Sequence, residues 1–211
     1  MNADARTSDD RALDAFLGLI AERGYTGVAL RDVAEAAGLG FADLYRLYSD
    51  KTALAAAFMA RIDGEVLAGT PASIDLEETP RDRLFDVMMR RYDALRPYRA
   101  ALRALRRAGT RDPMLAIAMG PGLRRSMAAM LEAASVASDG LPGALRQNGL
   151  LAIHYAVSRV FDRDDTQDLS KTMAALDDRL KTAERWSQLF DRYAKSPGSS
   201  VPPAPPVSPE A

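Results

Sequence analysis

Three observations on this 211-residue chain predict an all-α fold. Apolar residues recur at steps of three and four along almost the whole length, the period of helices that bury one face. Nowhere do apolar and polar residues alternate with period two, so no strand pattern competes, and no internal repeat is visible. The periodic runs are separated by Gly, Pro, Thr and Asp at positions that start or stop helices. With 47% apolar residues, the chain can bury a substantial core.

The first helix is predicted from about Asp9 to Arg23, with Leu13, Phe16, Leu17 and Ile20 inward and Gly24 as its stop. Leu30, Val33, Ala34 and Ala37 share one face of a second helix. Phe41, Leu44, Tyr45 and Tyr48 share one face of a third. Gly38, between them, can take the positive φ that a tight inter-helix turn needs. So short a connection leaves the two helices crossing at a wide angle, as in a helix-turn-helix. That arrangement holds its second helix out towards a partner, usually the DNA major groove.

A fourth helix is predicted from Lys51 to Leu67 on the stripe Leu54, Phe58 and Ile62, followed by a loop from Gly69 to Thr79. Thr79-Pro80 reads as cap and first-turn proline of a helix that runs through Leu84, Phe85, Met88, Met89 and Tyr92. Pro97 ends or kinks it, and a shorter helix covers Tyr98 to Arg107. Asp112-Pro113 opens the next helix, which Gly120-Pro121-Gly122 is expected to interrupt before a second run to about Ala137. Leu141 to Phe161 forms a helix with the apolar middle LLAIHYAV. From Asp168 to Ala194 the stripe Leu169, Met173, Leu176, Leu180, Ala183, Trp186, Phe190 and Tyr193 has the spacing of a helix-packing seam. Beyond Lys195 the six prolines of PGSSVPPAPPVSPEA predict a disordered or polyproline tail. The expected division is residues 1–50, 51–195 and 196–211.

The dispersed pattern AERGY, LRDVAEAAG, LYRLY and SDKTAL, between Asp10 and Leu54, resembles the TetR family of one-component regulators. The resemblance implies an N-terminal three-helix DNA-binding domain and a larger C-terminal helical domain that binds a small ligand and dimerises. It places Arg31, Gly40, Phe41, Asp43, Tyr45, Arg46 and Lys51 at the DNA, with Tyr45 and Lys51 on phosphates. The chain departs from the family at the caps. Ala29 stands where a Ser or Thr usually caps the second helix, a loss of about 1 kcal/mol, and Gly40 opens the recognition helix without a hydroxyl.

Charge is unevenly distributed. Residues 1–50 hold five Arg and no Lys against nine Asp plus Glu, a net −4, unfavourable for a domain meeting phosphates. Residues 81–111 hold ten Arg against three Asp, a net +7. Within them Arg96, Arg99, Arg103, Arg106 and Arg107 largely share a helix face, either simply solvated or able to receive an anionic head group or an acidic lipid surface. The chain has no cysteine, which rules out disulfides and thiolate metal sites and fits the expected cytoplasmic location. MNADARTSDDR lacks the apolar segment of a signal peptide, and no run of 18 apolar residues is present.

Catalytic chemistry finds little support. His154 is the single histidine and reads as a core or pocket residue. Asp162, Asp164 and Asp165 lack the glycine and glutamate of a calcium loop and read as a solvated helix end. Neither a phosphate loop nor a Ser/His/Asp set is present, so no enzymatic activity, metal or cofactor is expected. Methionines gather mid-chain, on the helices that form the ligand pocket in the resembling family. Phe85, Met88, Met89, Tyr92, Met127 and Tyr155 are the candidate lining for a small apolar ligand or lipid, although core filling explains any one methionine equally well.

The expected function is a ligand-responsive regulator, a repressor, bound to a double-stranded DNA operator as a homodimer through its last two helices. Leu176, Leu180 and Trp186 are the expected intermolecular seam. The alternative draws on a C-terminal likeness, YDALRPYRAALRAL and GLLAIHYAV followed by DRDD, to ubiquinone-biosynthesis lipid-binding proteins of TetR-like fold. That likeness implies a vestigial helix-turn-helix that does not bind DNA.

Overall fold

The computed structural model describes residues 7–71 and 77–195, with side chains described up to residue 185. The polyproline tail and part of the 69–79 loop therefore lie outside the described residues. The elements in order are α1 (Ser8–Arg23), a 3-10 turn (Tyr25–Gly27), α2 (Leu30–Ala36), α3 (Phe41–Leu47), α4 (Lys51–Ala68) and α5 (Pro80–Leu95). A second 3-10 turn (Arg96–Tyr98) leads to α6 (Arg99–Arg111), α7 (Pro113–Ala133), α8 (Gly140–Phe161) and α9 (Ser170–Lys195). Among the described residues there is no strand.

Local chemistry accounts for most boundaries. The Thr7 hydroxyl accepts from the Asp10 N–H at 3.1 Å while Asp10 accepts from the Thr7 N–H, a reciprocal cap on α1. Asp50 caps α4 through the Ala53 N–H, Thr79 caps α5 through the Asp82 N–H, and Asp112 caps α7 through Met114 and Leu115. Gly38 sits at φ +63°, the left-handed turn that a side chain would strain. Ala29 offers no cap, yet the Asp32 carboxylate reaches back to the Ala29 N–H at 2.8 Å and restores half of the missing exchange.

Ala12, Phe16 and Ile20 of α1, Val33 of α2, Leu44 of α3 and Leu54 and Phe58 of α4 are fully buried in one continuous core. Each large apolar side chain among them contributes about 1.5–3 kcal/mol by leaving water. The helix-turn-helix is anchored to the rest twice. α4 leaves it to pack along α7 and α5, and α1 lies against α6. Arg61 ties these contacts together. Its guanidinium binds Asp14 of α1 at 3.1 Å and the Tyr98 hydroxyl at 3.3 Å while lying over the Phe58 and Tyr98 rings.

Three expectations need correcting. α7 is not interrupted at Gly120-Pro121-Gly122; it continues through Pro121, with buried Leu115 on one side and buried Ser126 and Met127 on the other. Pro121 only removes the N–H that the carbonyl four residues back would accept. The leucines of the terminal stripe are not left for a partner chain. Leu169, Leu176 and Leu180 are buried within the protomer, where α9 packs on α8 and α5, whereas Met173 and Ala183 are exposed. The side chains of Trp186, Phe190 and Tyr193 lie outside the described residues.

Of the aspartates after Phe161, Asp165 is solvated as expected, but Asp162 and Asp164 are not. Asp162 pairs with Arg106 through both carboxylate oxygens, and Asp164 is fully buried. Asp164 accepts from the N–H and hydroxyl of Thr166 and of Thr172, fixing the start of α9. Burial raises its carboxyl, but those four hydrogen bonds outweigh it and hold the pKa at about 2.

Candidate functional site

α3 is positioned by a single anchor. Leu44 is its one buried residue, and the rest of this two-turn helix lies at the surface. Phe41 and Tyr45, on the face they share with Leu44, and Leu47 on its other flank remain 43%, 56% and 44% exposed, so the predicted apolar face of α3 is only partly buried. Exposed apolar side chains on so short a helix make α3 the candidate contact surface. Arg31 of α2 lies over the Phe41 ring at 5.3 Å, and Phe41 and Tyr45 are neighbours at 6.3 Å, so three of the expected DNA residues form one patch.

The charged members behave differently. Arg46 pairs with Asp43 one turn earlier at 2.8 Å, so the one base of α3 is matched by its own acid. Gly40 caps α3 with its Cα against that same carboxylate; a Cβ there would stand 2.8 Å from Asp43 Oδ2. Lys51 does not reach outward. Its ammonium donates to the carbonyls of Tyr25 and Val28, both at 2.7 Å, and lies over the Tyr25 ring. Burial lowers its pKa, partly offset by Asp32. In this arrangement Lys51 stitches the start of α4 to the segment before α2.

The six candidate ligand residues do not form one lining. Met88, Tyr92 and Met127 are fully buried in the core and Met89 nearly so, Phe85 is half-buried, and Tyr155 is 48% exposed on α8. Tyr92 packs on Phe161 and His154, and its hydroxyl lies 3.2 Å from His154 Nδ1 and 3.3 Å from the His154 carbonyl. Burial pushes the Tyr92 phenol up. Burial, reinforced by Arg91 and Arg106, pushes His154 down to about 3, so it is neutral and structural near neutral pH.

Periodicity did not single out the polar group at the centre of this core. Arg91 is fully buried between α4, α5 and α7; it pairs with Asp63 and donates to Ser126 Oγ at 3.3 Å, while Ser126 donates to Asp63 at 2.5 Å. Its spacing carried the signal. Arg91 falls three residues after Met88, on the same inward face as Tyr92 and Leu95.

Clefts open on the surface among the described residues, and none of the six residues lines either of the two described next. One of about 490 Å³ lies beside Gly120, Pro121, Arg124, Arg125 and Gln147. The other, about 650 Å³, lies between the start of α6 and the α8–α9 turn.

Residues 12–58 match the family model of bacterial regulatory proteins, tetR family. The chain carries a TetR-family N-terminal domain. No curated protein is detectably similar in sequence. Among solved structures the fold resembles a TetR transcriptional regulator from Nitrosomonas europaea ATCC 19718, with TM-score 0.68 and 20% identity over 84% of this chain and 98% of that one. It also resembles a TetR transcriptional regulator from Rhodococcus sp. RHA1, with TM-score 0.59 and 22% identity over 82% and 95%. A TetR-like transcriptional regulator from the same source gives TM-score 0.53 and 19% identity over 88% and 99%. At these identities the likeness establishes the fold alone: a TetR-type helix-turn-helix continued by a helical body. No helix among the described residues is long and apolar enough to cross a membrane.

Proposed function

We propose that this chain is a cytoplasmic, ligand-responsive transcriptional regulator that binds operator DNA as a homodimer and releases it when a small apolar molecule binds. The outward face of α3 carries the reading. A two-turn helix anchored by Leu44 alone, with Phe41, Tyr45 and Leu47 exposed, has no use inside the protomer and suits insertion into a groove. The second copy docks on α8, whose outward stripe Leu141, Leu145, Ala152 and Tyr155 is apolar and exposed. Ligand release of DNA requires a helix arrangement that binds ligand better and DNA worse.

The test is a DNA-binding titration across salt concentrations, using DNA from upstream of the protein's own coding sequence. Tyr45→Ala weakens binding across sequences, and Asp43→Asn strengthens it because Arg46 is released from its acid partner. An absence of binding by the parent chain at low salt overturns the proposal.

A second reading, a lipid-binding protein whose helix-turn-helix no longer meets DNA, draws support from the same electrostatics. The N-terminal residues are net acidic, Arg46 is self-paired and Lys51 is turned inward. Isoprenoid lipid extracted from the purified protein, together with no DNA binding, selects it.

A further inference from the structure

Several arginines inside the fold are matched with carboxylates. Arg61 pairs with Asp14, Arg81 with Asp82 and Asp177, Arg91 with Asp63 and Arg106 with Asp162. The cleft between α6 and the α8–α9 turn instead gathers three arginines that are not. Arg96, Arg99 and Arg103 line it from successive turns, facing Asp165, Thr166 and Gln167 across the gap. None of the three has a carboxylate partner among the described residues. Arg96 donates to the Gln167 carbonyl at 2.6 Å and Arg99 to the Asp164 carbonyl at 2.5 Å, while Arg103 has no hydrogen-bond partner there.

The nearby acids are committed elsewhere. Asp164 is turned into the α8–α9 turn by Thr166 and Thr172, and Asp165 is held by Lys171 at 2.5 Å. Each guanidinium has five N–H donors, and these three together use two of them. The Arg99 Nε is buried with no partner at all, although its guanidinium is held in place over the Phe161 ring at 4.7 Å. Positive charge is therefore concentrated in a concave site, with Arg96 and Arg99 held in place by main-chain carbonyls and Arg103 free to close on a ligand.

We propose that this cleft binds a soluble phosphate-bearing small molecule, its phosphate oxygens accepting from Arg96, Arg99 and Arg103. Planar guanidiniums match phosphate in shape and charge, and Arg96 and Arg99, already held by carbonyls, lose little freedom on binding. A lipid headgroup offers the same chemistry, but the exposed large apolar residues of the described chain all lie elsewhere, on α3, α4, α7, α8 and α9. The site is independent of whether α3 meets DNA.

Isothermal titration of the full chain with pyrophosphate at fixed ionic strength tests the site. Saturable binding is expected, weakened about tenfold or more by Arg103→Ala, which removes an exposed side chain with no structural partner. Arg179→Ala, an exposed arginine on α9, is expected to leave binding unchanged. An absence of saturable binding, or equal weakening by the two variants, overturns the site. Flotation with phosphatidic acid vesicles separates the sources. Vesicle binding that Arg103→Ala abolishes, without pyrophosphate binding, overturns the soluble ligand in favour of a membrane surface.

Discussion

Replacing Asp63 by leucine removes the single carboxylate that faces the fully buried Arg91 among the described residues. Breaking a buried pair by deleting one partner costs about 3–5 kcal/mol, because the remaining charge stays desolvated. The Asp63 side chain is 17% exposed, so some water reaches the pair and the lower part of that range, about 3–4 kcal/mol, applies. For a chain of this size each kcal/mol lowers Tm by about 2–4 °C, so the expected fall is roughly 6–16 °C. The reverse single variant, Arg91→Met, is milder at about 1–3 kcal/mol, because Asp63 keeps Ser126 and some solvent. The double variant, Arg91→Met with Asp63→Leu, removes both charges and is expected within about 1 kcal/mol of the parent, since apolar replacements of buried pairs are often neutral. Urea denaturation of all four proteins measures the cycle. The reasoning fails if Asp63→Leu costs less than about 1 kcal/mol, or if the double variant's loss equals the sum of the singles.

His154 is held neutral in the fold, with a pKa near 3 against an ordinary 6.5, so the unfolded chain binds the extra proton between those values. Stability therefore falls as pH drops below 6.5, by about 2 kcal/mol at pH 5, and His154→Gln flattens that slope in pH-dependent denaturation. Asp164 acts lower down: its depressed carboxyl stabilises the fold above its ordinary 3.8, and that contribution is lost as pH falls towards about 2. Lys51→Met leaves the Tyr25 and Val28 carbonyls without their donor and costs about 1–3 kcal/mol. If Lys51 is purely a stitch, the salt slope of DNA binding by the folded variant is unchanged; a slope reduced by about one unit means it contacts phosphate after all. Gly143 packs so closely on the Ser138 backbone that a Cβ cannot fit without moving main chain. Gly143→Ala is expected to cost about 1–3 kcal/mol in thermal unfolding, and a loss below about 0.5 kcal/mol contradicts the close approach.

By itself the sequence determined the features that depend on near neighbours. Helical period, the caps at Thr79-Pro80 and Asp112-Pro113, the left-handed turn at Gly38 and the outward-looking second helix of the helix-turn-helix are set within a few residues, where propensity and capping operate. Even the self-pairing of Arg46 with Asp43 was implicit in their three-residue spacing. Tertiary structure decided what depends on distant partners or on helix phase. α7 runs through Pro121 because packing at Leu115, Ser126 and Met127 outweighs one lost hydrogen bond. Along α8 both faces are apolar, so periodicity alone could not choose between them. Packing turned Leu150, His154, Val157 and Phe161 inward and left Leu141, Leu145 and Tyr155 in solvent. The same competition drew Leu176 and Leu180 into the protomer. Arg91 could be buried only because Asp63 and Ser126, 28 and 35 residues away, converge on it from α4 and α7. Lys51 turns inward because the Tyr25 and Val28 carbonyls lie within reach of its ammonium. Charge and hydrogen bonding across such separations are fixed by how helices stack, and no window of the sequence contains that information.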